Sequence, residues 1–164
     1  MEHTNEAIWA GDPAVLDALR ASGWFEGRRF DISSWIESLE AAGFELNELA
    51  RRVWSEFGGL TIVSSATRDP SSSLHVDPED ACIDTVDEAA TLGQRFGENY
   101  SPLGMWSTQF RSYIGASGRV IAVGPRVIWE LGLSFAEALA DIVSGDNGGD
   151  HAEDVDWLPY YRSR

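Results

Sequence analysis

Cysteine occurs once in the 164 residues, as Cys82, so no disulfide can form within the chain. That fits a reducing compartment. Histidine is nearly as scarce. His3, His75 and His151 stand far apart, and with one cysteine they offer no metal-ligand spacing. No run approaches the roughly 18 apolar residues of a membrane span. Met1 to Glu6 is polar and acidic, unlike the basic start and apolar run of a secretory signal. The expected location is the cytoplasm. Basic residues are also few: 12 against 27 acids, a net charge of −15. Such a surface repels phosphate backbones and anionic headgroups, which argues against nucleic acid and membrane as partners. It attracts basic proteins and speeds their encounter. Acidity that serves only solubility is the competing reading.

Catalytic signatures are missing as well. Gly115-Ala116-Ser117-Gly118 is not a nucleophile elbow, and it lies between two β-type runs rather than before a helix. No phosphate-cradling glycine motif occurs. Asp146 to Asp150 resembles a calcium loop only superficially: position three is Gly148 and position six is His151. No catalytic residue, metal ligand or cofactor site is assigned.

What is present is a chain that folds. Hydrophobic residues make up 43% and aromatics 11%, which excludes general disorder. Asp12-Pro13 is a helix start, with Asp12 as N-cap and Gly23 as the stop. Ile32, Trp35, Ile36, Leu39 and Ala42 share one helix face that ends at Gly43. Leu46, Leu49, Ala50, Val53, Trp54 and Phe57 repeat the rhythm up to Gly58-Gly59. The period then shortens. Leu60 to Val63 and Leu74 to Val76 read as strands around a serine-rich loop. A middle helix spans about 85–96, and 100–106 is extended or turning. Thr108 to Ile114 and Arg119 to Val123 form a hairpin, with another strand at Val127 to Leu131. Ser134 and Glu137 make a capping box for a last helix that stops at Gly145. The expected class is α+β, a central antiparallel sheet flanked by N-terminal helices, a middle helix and a C-terminal helix.

Two blocks contain acids and no base. One holds Asp77, Glu79, Asp80, Asp84, Asp87 and Glu88; the other holds Asp146, Asp150, Glu153, Asp154 and Asp156. They read either as solvated surface or as a docking face for a basic partner. Trp106, Trp129 and Trp157 stand near them as possible aromatic anchors, or as core.

Several short motifs together resemble the SUKH superfamily of bacterial immunity proteins, and most of all its third subfamily. They are Gly27-Arg28-Arg29-Phe30-Asp31 with Trp35, Leu39 and Gly43; Glu56-Phe57-Gly58-Gly59-Leu60; Asp77-Pro78; Pro102-Leu103-Gly104; Gly118-Arg119-Val120; and Leu131-Gly132 with Ser134 to Leu139. Ile121 stands where an aromatic is common in the family. The resemblance covers about 24–145, leaving 1–23 as a helical extension and 146–164 as an acidic tail. It implies a non-catalytic protein that binds and neutralises a cognate toxin domain of nuclease or deaminase type. The charge adds that this partner is basic. Expected contacts are the two acidic blocks and Trp106. The alternative function is a general interaction or regulatory module of the same fold. A small-ligand enzyme would require a deep polar pocket with close titratable groups.

Overall fold

Helix α1, Pro13–Ser22, begins where Asp12 accepts the Ala14 N–H at 2.9 Å and Pro13 supplies a first position that needs no donor. It ends at Gly23, whose φ of 108° suits only a residue without Cβ. The computed structural model describes residues 12–82, 85–145 and 151–158. Helix α2 is Ser33–Ala42 and α3 is Glu48–Phe57. Strands β1, Thr61–Val63, and β2, Ser73–His75, follow, then the short helix α4, Pro78–Cys82, and α5, Val86–Phe96. Strands β3 (Tyr100–Trp106), β4 (Phe110–Gly115), β5 (Val120–Gly124) and β6 (Val127–Gly132) lead to α6, Phe135–Ser144, and to β7, His151–Asp154.

The seven strands form one antiparallel sheet in chain order, β1 to β7. Paired residues share a face, and this assigns the helices to sides. Ile114 pairs with Val120, and Val120 with Gly132. A Cβ on Gly132 would lie 2.5 Å from the Ala138 backbone nitrogen, so α6 lies on that face. Helix α3 joins it there: the Asn47 N–H donates to Ser101 Oγ at 2.8 Å, and Ser101 pairs with Ile114. Helix α1 packs against α6 and β1. The opposite face carries Arg111 and Tyr113, which reach Glu88 of α5. The result is an α+β architecture with helices on both sides of the sheet.

Three readings become more definite. The segment read as a tail supplies β7, which pairs with β6 from Val127–Asp154 to Glu130–His151. The segment read as an extension supplies α1, whose Val15 and Leu19 belong to the same core as the sheet. The stretch 100–106, left open between extended and turning, is a strand whose neighbours are β2 and β4. The calcium-like run 146–150 lies outside the described residues.

Candidate partner-binding surface

The family-like motifs turn out to touch one another. Arg28 donates to the carbonyls of Glu56 at 2.8 Å and Gly58 at 2.9 Å, and the Phe30 N–H donates to the Ser55 carbonyl at 2.7 Å. The Trp24 indole donates to Glu56 Oε2 at 2.9 Å. A Cβ on Gly58 would meet the Phe30 ring at 2.7 Å. Asp77 caps α4 by accepting from the Glu79 and Asp80 N–H groups, both at 3.1 Å. Gly104 admits the β2 backbone: a Cβ there would stand 1.9 Å from the His75 carbonyl oxygen. These residues hold the fold.

Members of the two acidic blocks come to the same side of the sheet, at opposite ends of α5: Asp87 at one end and Glu153, whose pairing through Ile128 and Val123 leads to Arg111, at the other, while Asp154 pairs with Val127 and faces the α6 side. Asp87 and Glu88 lie in its first turn. Trp157, just past β7, packs on its last turn, with its ring 6.1 Å from Phe96 and under Arg95 at 5.0 Å. The intervening helix spans about 12 Å at 1.5 Å per residue. Asp80, Asp87, Glu153, Asp154 and Asp156 are exposed. Asp77 is half-buried beside His75, and half-buried Glu79 accepts from Ser38 of α2. Asp84, Asp146 and Asp150 lie outside the described residues.

Two of the expected contacts are interior. Glu88 is 1% exposed. Its carboxylate takes a bidentate pair from Arg111 at 2.8 and 2.7 Å and a hydrogen bond from the Tyr113 hydroxyl at 2.5 Å. It fastens α5 to β4. Trp106 is buried too, with its indole donating to Ser72 Oγ at 2.9 Å. It stacks with Phe110 and Trp129, at 5.7 and 5.5 Å, on the α6 side of the sheet. Both were chosen for residue type, and in both cases a partner distant in sequence draws the side chain inward.

Sequence reasoning missed Glu45 and Glu98. With Asp87 they line a groove of about 540 Å³ between α5 and the α2–α3 loop, together with Gly43, Ala90 and Gly93. Glu98 is held in place: its oxygens accept the Ser117 N–H at 2.7 Å, Ser117 Oγ at 3.0 Å and the Tyr100 hydroxyl at 3.2 Å. Burial, and then the charge of Glu98, push the Tyr100 hydroxyl pKa well above its ordinary value, so it stays a donor. Glu45 and Glu98 share no motif, and only the fold brings them together. A second groove, of about 630 Å³, lies at the other end of α5 between Arg95, Arg126 and residues 153–157.

Among the described residues, no three histidine, cysteine or acidic side chains are placed to hold a metal, and no helix is long and apolar enough to cross a membrane. Fold and surface thus define an α+β protein whose α5 side is a grooved, acidic face. Family comparison is specific: the model of the SUKH-3 immunity proteins matches residues 11–145, and the chain belongs to that family. Its partner is accordingly a cognate toxin. The match takes in α1 and stops before β7. No curated protein and no solved structure matches the chain.

Proposed function

We propose that this chain neutralises its toxin by direct, non-catalytic binding in the cytoplasm, through the acidic side centred on α5, and that the toxin domain is basic. The observation that carries this reading is the placing of two exposed acids, Asp87 and Glu153, at opposite ends of α5 on one side of the sheet, in a chain of net charge −15. A toxin that acts on nucleic acid needs a cationic cleft for the phosphates. Nuclease and deaminase domains are therefore the fitting class, with carboxylates standing where phosphates would bind. Charge complementarity of this kind sets encounter rate and partner choice more than raw affinity.

The test is co-expression with the toxin domain encoded in the adjacent gene. The expected result is cell survival and co-purification of a complex whose association slows as salt rises. The absence of both survival and co-purification overturns the proposal.

A further inference from the structure

Of the two grooves beside α5, one contains its own cations and the other contains none. Arg95 and Arg126 line the groove next to β7, and Arg95 already sits over the Trp157 ring. The groove between α5 and the α2–α3 loop is lined by Glu45, Asp87 and Glu98, with no lysine or arginine. Nearby cations already have partners: Arg119 lies 3.2 Å from Glu130 and also reaches Tyr100 at the Glu98 end of the groove, Arg51 bonds Glu40 at 3.1 Å, and Arg111 holds Glu88. Its apolar lining includes the small residues Gly43, Ala89, Ala90 and Gly93, which leave room for an incoming chain.

We propose that this groove seats one arginine or lysine side chain of the toxin, with its aliphatic stem on Ala90 and Gly93 and its charged head between Glu45, Asp87 and Glu98. The proposal rests on the toxin-binding reading above and names the subsite within it. Long basic side chains bury their stems on apolar surface while the head stays with polar groups, and this groove offers both at once. A concave site with an apolar lining and charges of one sign focuses its field on an incoming ion. Glu98, braced by Ser117 and Tyr100, is already in position and loses little freedom on binding.

Two measurements test this. In the first, amide spectra of the full chain are followed while an end-blocked Gly-Arg-Gly peptide is added, with Gly-citrulline-Gly as neutral control. The arginine peptide should give saturating shifts at Gly43, Glu45, Gly93 and Asn99 that Ala90→Trp abolishes. Shifts spread evenly over the acidic surface, or equal for citrulline, overturn the proposal. In the second, wild type, Ala90→Trp and Glu45→Arg are titrated against the toxin domain encoded in the adjacent gene. Both positions are exposed, so both variants should keep the wild-type melting curve. Each should bind at least about tenfold more weakly, as for loss of a central charged anchor. Tight binding that is unchanged in both variants overturns the groove proposal alone. No binding by wild type overturns the toxin-binding reading as well.

Discussion

The indole N–H of Trp24 donates to Glu56 Oε2 at 2.9 Å, and the Arg28 guanidinium, its pKa lowered by burial, grips the Glu56 carbonyl from the same side. A loop with no regular structure is thereby tied to the end of α3. Glu56→Ala would leave the buried indole without this acceptor and should destabilise the protein by about 1–3 kcal/mol. Urea unfolding measures the loss. The Trp24 indole proton should shift in the NMR spectrum, while Glu56→Gln keeps an acceptor and most of the stability.

Gly104→Ala should do more harm. The new methyl would fall 1.9 Å from the His75 carbonyl oxygen, so β2 and β3 would have to separate. The expected loss exceeds about 2 kcal/mol. Gly97→Ala is the control. Its Cβ would meet open space, and only its φ of 78° is unfavourable, worth about 1 kcal/mol. Paired melting curves should rank the two in that order.

Glu88 tests fold against interface. Removing its carboxylate leaves Arg111 and Tyr113 without their shared acceptor. Arg111 is 27% exposed and can partly rehydrate, so Glu88→Ala should destabilise by about 2–3 kcal/mol rather than the larger loss of a wholly buried pair. The variant that remains folded should bind toxin with unchanged affinity. Reversing the exposed charges Asp80, Asp87 and Glu153 should do the opposite. Melting should stay as in wild type, while association with a basic toxin slows and loses its salt dependence. Stopped-flow mixing at low and high salt separates the two cases.

Asp31 supplies a pH prediction. Its carboxylate accepts from the Ser33 hydroxyl at 2.6 Å and the Ser33 N–H at 3.0 Å, and these bonds, the hydroxyl first, hold its pKa below the ordinary carboxylate value. A lowered folded-state pKa means the stabilisation is present above the ordinary carboxylate pKa. It is lost as pH falls through the lowered one. An NMR titration should show Asp31 protonating later on acidification than a free aspartate. Ser33→Ala should move that midpoint upward.

Much of the helical layer could be read directly from local chemistry. Asp12 before Pro13, Ser134 three residues before Glu137, and the glycines at 43 and 145 are terminal signals that work within one turn. The Ser134 cap is present, with the Glu137 N–H donating to its hydroxyl at 3.1 Å. What escaped was whatever depends on a distant neighbour. The run His-Ala-Glu-Asp has little strand character, and it becomes β7 because β6 offers it an edge. Tyr100 to Trp106 contains Pro102 and Gly104, which read as breakers, yet Gly104 is what lets β2 approach. Glu88 looked like its exposed neighbour Asp87 because nothing nearby announces Arg111. The groove followed the same rule: Asp87 belonged to a visible block, while Glu45 and Glu98 gained meaning only when α5 lay beside them.

The sheet is assembled in chain order, yet α1, the first of the described helices, packs on α6, the last of them. During synthesis each strand can pair with the one made just before it, and such sequential pairing favours rapid folding. The apolar side of α1, however, waits for α6, which emerges only after β6. A ribosome stalled before α6 emerges would hold a growing sheet whose α6-facing side is covered by α3 alone. Completion of the core is therefore a late event in translation, because α1 and α6 close it from opposite ends of the chain.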